Sequence, residues 1–291
     1  MSFANGSVRN EVHGEFLPSQ PGPIFLTLHS PRRPNADCVL VVPPFAEEMN
    51  KSRRLVAELG RALAAHGITL AIPDLFGTGD SAGNFGEATW EAWVDNLQQT
   101  CDWIESCGLK LSALLAIRFG AALACDALLA RKLPPVQRTV LCQPVFDGKR
   151  HLQQFLRLRV MASRMSGNSG ESIDSIRRLL RSGAQVEVAG YPLSPSLADS
   201  MERLSVAMEL PHGLGEVDWI ELARTAGAPV SAQARQLIER SASVGVVART
   251  HTLVAEPFWG ATEIVVDAGL VTAMCEFLAG ASRHAGDTQD A

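Results

Sequence analysis

Four short runs recur along the first half of this chain, "CVLVV", "ITLAI", "LSALLA" and "TVLCQPV", and none contains a charged residue. A strand with one wet face alternates apolar and polar residues. Unbroken runs of this length instead point to strands buried on both faces, as in a parallel sheet covered by helices. Segments of helical period lie between them. "KSRRLVAELGRALAAHG" sets Leu55, Leu59, Ala62 and Leu63 on one face and stops at Gly67. "TWEAWVDNLQQTCDWI" does the same through Trp90, Trp93, Val94, Leu97, Cys101 and Ile104, with Thr89 as its cap, and "AALACDALLARKL" supplies a third helix. This rhythm predicts a doubly wound α/β fold.

The flanks are less regular. Ahead of the first buried run, "EFL" and "IFLTLH" are separated by "PSQPGP" and read as a hairpin. From Lys149 to Arg181 the rhythm breaks, and eight Lys or Arg face only Glu171 and Asp174, a local charge of +6 in a chain of net charge -5. We read 147–185 as a basic helical lid over the sheet. The rhythm resumes with "AQVEVAGY", "VDWIEL", "SVGVVARTHTLVA" and a last helix "GLVTAMCEFLAG", and 280–291 is expected to be a disordered tail. The whole of 1–291 reads as a single domain without internal repeats.

The acidic balance gives no general attraction to phosphate backbones, so nucleic acid is not an expected partner. Six cysteines form no CxxC pair and mostly sit in apolar runs, which suits a reducing cytoplasm. The N-terminus has no basic stretch followed by an apolar core, and no charge-free run reaches the ~18 residues of a membrane span. There is no HExxH, no paired-cysteine pattern and no Asp-rich calcium loop, so neither metal nor cofactor is expected.

The segment "GDSAG" matches the GxSxG pattern of serine esterases, with Ser81 at its centre. A nucleophile elbow, however, runs straight from a buried strand into a helix. Ser81 lies well after "ITLAI" and before the helix near Thr89, so it reads as a turn residue bonding its own backbone. Gly77, Gly79 and Ala82 fit a dinucleotide fingerprint by letter, but they too fail to open a helix.

The right context is "LSALLAIRFGAALACDALLA". Its turn reads Ala116-Ile117-Arg118-Phe119-Gly120, with small residues at the flanks and arginine where serine would stand. A guanidinium stays protonated and cannot attack a carbonyl, so no ordinary acyl-enzyme route starts from Arg118.

Taken together, "VVPPFAEEMNKSRRL", "IPDLFGTGDSAGNFGEATWEAW", "AIRFGA", "QPVFDGKRHLQQFLRLR", "VEVAGYPLSP" and "EPFWGATEI" resemble an α/β-hydrolase, and more narrowly the exosortase A system-associated hydrolase 2 family. The resemblance implies a bacterial protein linked to exopolysaccharide production and surface-protein sorting. It also implies that the loop after 38–42 helps build an oxyanion hole. Phe45, Ala46, Glu47, Phe119, Glu256 and Trp259 are then the candidate substrate-binding residues. The catalytic histidine should sit just after the last strand, where this chain has Glu256-Pro257-Phe258-Trp259.

Of seven histidines, His13, His29 and His66 precede the elbow and His284 lies in the tail. His151 falls in the insertion, His212 in a loop and His251 inside a strand. Glu221, ending "VDWIEL", falls where the triad acid would, either as that acid or as a solvated strand-end charge. The candidate catalytic set is therefore Arg118, Glu48 and Glu221.

An arginine on the elbow projects from a helix N-terminus and needs a compensating anion. Glu47 or Glu48, on the loop expected above the same sheet edge, could supply it, or a ligand carboxylate or phosphate could. Three functions stay open. The pocket binds an acyl or anionic small molecule with weak hydrolysis or none. Alternatively it is an ester or thioester hydrolase or acyltransferase driven by Glu48, Glu221 or Glu256. In the third, a cytoplasmic accessory protein meets a partner or the anionic inner-membrane surface through the lid. There Phe155, Leu156, Val160 and Met161 oppose Arg157, Arg159 and Arg164, a pattern that core packing of the same helix would share.

Overall fold

The structure, a computed structural model, describes residues 10–167, 170–204 and 209–287, with side chains to residue 280. Residues 1–9 and 288–291, on which the readings of the N-terminus and the tail partly rest, lie outside the described residues. The strands are β1 (Asn10–Leu17), β2 (Ile24–Pro31), β3 (Asp37–Val42), β4 (Thr69–Pro73), β5 (Lys110–Ile117), β6 (Arg138–Cys142), β7 (Val186–Val188), β8 (Tyr191–Leu193), β9 (Glu216–Ala223) and β10 (Ala248–Val254). The helices are α1 (Glu47–Ala65), α2 (Trp90–Ser106), α3 (Gly120–Leu129), α4 (Gly148–Met165), α5 (Ile173–Arg181), α6 (Pro195–Arg203), α7 (Ala232–Ser243) and α8 (Ala268–Asp287).

Eight strands form one sheet in the order β1-β2-β4-β3-β5-β6-β9-β10. β1 and β2 are the antiparallel hairpin, β2 runs antiparallel to β4, and every pair from β4 to β10 is parallel. The chain leaves β3 toward β4 on one side and returns to β5 on the other. That reversal opens a crevice at the carboxyl ends of β3 and β5, the usual site for ligands in such sheets. The apolar runs are buried as their lack of alternation requires: Val39 to Val42 and Ala113 to Ile117 are all 0% exposed. α1 and α8 pack on one face of the sheet, and α2 and α3 on the other, where α4 adds Leu152, Phe155, Leu156 and Val160.

Four local differences from the sequence reading have physical causes. α1 begins at Glu47, so Glu47 and Glu48 occupy a helical first turn and not a loop, a position that suits acids against the helix dipole. "AQVEVAGY" does not rejoin the main sheet: Val186 and Val188 are buried while Glu187 is exposed, and this one-sided pattern forms a separate ribbon, β7 with β8. α6 follows, capped by Ser194 with Pro195 in its first turn, so the departure from the β/α rhythm extends beyond 185 as far as β9. α8 runs to Asp287, into the stretch expected to be a tail. Among the described residues, no helix is long and apolar enough to cross a membrane.

Candidate functional site

β5 passes directly into α3 through Arg118, whose φ of 54° lies in the left-handed region that bulky residues rarely enter. Two backbone bonds hold the turn, Arg118 N to Cys142 O at 3.0 Å and Val145 N to Arg118 O at 3.0 Å. Gly120 is required by close approach, because a Cβ there would stand 2.4 Å from Val42 O and 2.6 Å from Pro43 O. The elbow is therefore formed in full, with a guanidinium on it.

That guanidinium is anchored. Arg118 Nη2 donates to Glu48 Oε1 at 3.1 Å, Nε approaches the same oxygen at 3.4 Å, and Nη1 donates to Gln143 O at 3.3 Å. The Arg118 Cζ also lies 4.5 Å from the Trp259 ring centroid, a cation–π contact. The two charged side chains are 12% and 15% exposed. Burial pushes the Glu48 carboxyl above its ordinary range, and Arg118 only partly offsets this. Glu48 Oε2 has no hydrogen-bond partner among the described residues. Of the two anions considered for Arg118, the pairing is with Glu48. Half-buried Glu47 forms no ion pair there; after burial, its charge is the next cause raising the Tyr191 hydroxyl pKa.

Phe45 and Phe119 sit beside the elbow in an aromatic cluster. The Phe45 ring lies 5.1 Å from Phe155, 5.6 Å from Phe85 and 6.2 Å from Phe119. With Ala46, Met49, Trp90 and Trp93, the Phe45 and Phe119 rings line a small apolar hollow of about 20 Å³. Ala46, at φ 51°, turns the chain from β3 into α1. A second, more polar cleft of about 230 Å³ is lined by Arg118, Gln143, His151, Trp219, Glu221 and Ser231.

Glu221 thus shares a cleft with Arg118, but no imidazole contacts it among the described residues. Its carboxylate accepts from Ser231 N and Ser231 Oγ, both at 2.7 Å, and so ties β9 to the residue that caps α7. Neither the triad-acid reading nor the solvated-charge reading describes that role. Glu256 is exposed and lines a separate hollow with Arg224 and Asp267, away from Arg118. Trp259, three residues on, is the ring beside the guanidinium.

His151 is the residue that sequence reasoning left in the insertion and the fold brings to the elbow. Its ring stacks on Phe119 at 4.7 Å and meets Phe45 edge-on at 5.7 Å. It is buried, and neither ring nitrogen has a hydrogen-bond partner among the described residues. Burial, then the nearby Arg118, lower its pKa to about 3, so the ring is neutral. The signal was its position four residues before Phe155, on the apolar side of α4.

A histidine–carboxylate pair does exist elsewhere. His251 Nε2 lies 2.9 Å from Asp218 Oδ1, and Asp218 also accepts from Arg249 Nε at 3.0 Å and Arg138 Nη1 at 3.3 Å. Burial alone would raise the Asp218 pKa, but the bonds from Arg249 and His251 outweigh it and hold the carboxyl below its ordinary range. This pair cannot serve the elbow: Asp218 is level with Val140 and Leu115, below the turn, and His251 stacks on Phe277 of α8 at 4.2 Å. Ser81 is also structural. Its Oγ accepts from Phe25 N at 2.7 Å and donates to Asp74 O, pinning the Gly-rich loop to β2.

A family model described as serine aminopeptidase, S33, matches residues 34–190. Solved structures similar to this chain include a putative hydrolase from Agrobacterium vitis S4, at TM-score 0.60 and 16% identity, covering 94% of this chain and 99% of that one. Another is Est1E from Butyrivibrio proteoclasticus with ferulic acid bound, at TM-score 0.65 and 13% identity, covering 91% and 97%. A third is proline iminopeptidase from Mycobacterium smegmatis, at TM-score 0.55 and 13% identity, covering 94% and 100%. No curated protein matches the chain by sequence. With the mainly parallel sheet and its two helical layers, these likenesses show the α/β-hydrolase fold that the motifs implied.

Proposed function

The chain belongs to the serine aminopeptidase, S33 family of α/β-hydrolases, and from that membership we propose a member that keeps the fold and elbow but has no acyl-enzyme route. It holds an acyl compound, an ester or thioester, with weak turnover or none. The observation that carries this reading is the side chain on the elbow: a guanidinium held by Glu48 at 3.1 Å, with no imidazole among the described residues poised to activate a hydroxyl. The cleft beside Arg118, Gln143 and His151 suits a carbonyl head, and Val145, Phe146, Trp219 and Leu237 in its wall suit the acyl part, while the hollow beside Phe45 and Phe119 is too small for a chain. An anionic ligand would first have to displace Glu48, so the acyl class is favoured. Carboxylate-driven hydrolysis is less favoured, because Glu48 is engaged by Arg118 and Glu221 by Ser231. The setting we propose, from resemblance to the exosortase A system-associated hydrolase 2 family, is the cytoplasmic side of a bacterial exopolysaccharide and protein-sorting system.

A fluorophosphonate probe and a panel of acyl p-nitrophenyl esters and acyl-coenzyme A thioesters test the reading. The expected result is no covalent labelling, no burst of released phenol, and thermal stabilisation by at least one acyl compound. Labelling of Ser81, or rapid turnover abolished by Ser81→Ala, would show that a serine route operates and would overturn it.

A further inference from the structure

The outer face of α4 beyond Arg150, which borders the polar cleft, takes no part in the candidate site. α4 packs inward through Leu152, Phe155, Leu156 and Val160, the core packing that the sequence left open against a surface role. Met161, grouped with those residues in the sequence reading, does not join them. Leu158, Met161 and Met165 are 37%, 61% and 89% exposed, and their spacing of three and four residues places them on one stripe of the helix. Arg150, Arg157 and Arg164 recur every seven residues, so they form a second stripe along its flank. All three are exposed. α5, packed against α4, adds exposed Leu179 with Arg178 and Arg181.

Ion pairing sharpens this asymmetry. Arg159 turns to Glu171 at 2.7 Å and Arg177 to Glu202 at 3.1 Å. Among the described residues, Lys149, Arg150, Arg157, Arg164, Arg178 and Arg181 enter no ion pair, and the exposed acid on the same two helices is Asp174. A helix surface of adaptable methionine and leucine edged by unpaired arginine, on a chain otherwise acidic, has the chemistry of an interfacial helix.

We propose that the outer face of α4, with α5 beside it, docks on an anionic lipid bilayer. Met161, Met165 and Leu158 enter the headgroup boundary, and Arg157 and Arg164 meet the lipid phosphates. Charge complementarity selects this occupant, since a purely apolar partner would leave the arginine stripe unanswered. The proposal does not depend on what the cleft holds, and its test uses no cleft ligand.

The full chain is sedimented with vesicles of phosphatidylcholine alone and with vesicles in which about one third of the lipid is phosphatidylglycerol. Binding is expected to the anionic vesicles only and to weaken as salt rises. Arg157→Gln with Arg164→Gln should lower the partition coefficient on the order of twentyfold, about fivefold per charge. Met161→Asp with Met165→Asp should abolish binding while thermal unfolding stays at the wild-type temperature. The proposal is overturned by no binding to anionic vesicles, by equal binding to both lipids, or by binding that both variants retain. It is equally overturned if the methionine variant disrupts a dimer of this chain that does not bind lipid.

Discussion

Cutting the Arg118–Glu48 pair from each side in turn separates two effects that its geometry combines. The charges meet at 3.1 Å with side chains only 12% and 15% exposed. Near that separation two unit charges attract by about 4 kcal/mol at an effective dielectric constant of about 20. Stranding one partner of a buried pair costs about 3–5 kcal/mol. After Glu48→Met, Arg118 keeps Gln143 O and the Trp259 ring, which reduces the loss to about 2–3 kcal/mol, or about 5 °C in a chain of this size. That loss should shrink from pH 5 to pH 8: the raised pKa of Glu48 makes wild type lose stability as pH rises above the unfolded value, whereas the variant's guanidinium does not shed its proton. Arg118→Met strands the carboxyl instead, and the carboxyl has an escape. Burial already holds its pKa above the ordinary value against the pull of Arg118, so without Arg118 the folded chain binds a proton that the unfolded chain has released. Stability then falls as pH rises above the unfolded value, and the deficit of Arg118→Met grows from pH 5 to pH 8. The double methionine variant, with no charge left to solvate, should return to within about 1 kcal/mol of wild type. Urea titrations of all four proteins at both pH values measure this. A double variant that loses the sum of the singles, or an Arg118→Met deficit independent of pH, would refute the reasoning.

Three further variants probe the surrounding scaffold. His151→Phe keeps the stacking on Phe119 and removes two unpartnered nitrogens, so it should stabilise by about 1 kcal/mol at pH 7.5. Its folded pKa of about 3 lies below the unfolded value, so the unfolded chain protonates first and wild-type stability falls below pH 6.5; the variant's advantage should widen by about 1.4 kcal/mol per unit there. A difference that stays constant between pH 7.5 and pH 5 in thermal melts would contradict this. Gly120→Ala forces a Cβ to 2.4 Å from Val42 O and should cost more than about 4 kcal/mol, whereas Gly260→Ala, with nothing within 4 Å, should be near neutral by guanidinium titration. Asp218→Asn leaves His251 facing no carboxylate and Arg138 and Arg249 paired with Glu216 alone, at a cost of about 2 kcal/mol. Because the folded pKa of Asp218 is depressed, its contribution is full above the unfolded value and fades as pH falls through the folded one, so circular dichroism melts of variant and wild type should converge toward pH 3.

How much of this was legible in the sequence depended on which residues speak locally. The buried strands announced themselves because apolar runs such as Val39 to Val42 need no partner to be recognised. Thr89 capped α2 where the hydroxyl stood, and Ala116-Ile117-Arg118-Phe119-Gly120 was identifiable as the elbow because strand and helix patterns abut there. What failed was information held by other elements. Glu48 reads as a loop residue because the apolar period of α1 becomes clear only from Leu55, with Met49 and polar Ser52 as its earlier buried members. Glu221 reads as a triad acid or a solvated strand-end charge, but its carboxylate is answered by Ser231, the cap of a helix, α7, that the sequence reading does not contain. His151 was read with the basic segment around it, whereas its position on the inner face of α4 matters more than its neighbours in sequence.

The retention of a strained turn without its nucleophile bears on what the elbow now does. A φ of 54° at a long side chain costs of order 1–3 kcal/mol, a strain that serves reactivity when the residue must stand exposed above the sheet. Here the same backbone aims a guanidinium at Glu48 of α1, at Gln143 beyond β6 and at Trp259 after β10. Arg118 therefore joins segments that converge at the carboxyl edge of the sheet. In the function proposed above, this aim ties the rim of the pocket together and the turn attacks nothing that enters it. Restoring serine at this position should accordingly open the rim without restoring chemistry, since His151 is neutral and stacked and His251 faces the other layer. Arg118→Ser should melt at least as low as Arg118→Met and still escape fluorophosphonate labelling; a labelled, active Arg118→Ser protein would mean that the imidazole for catalysis was in place all along.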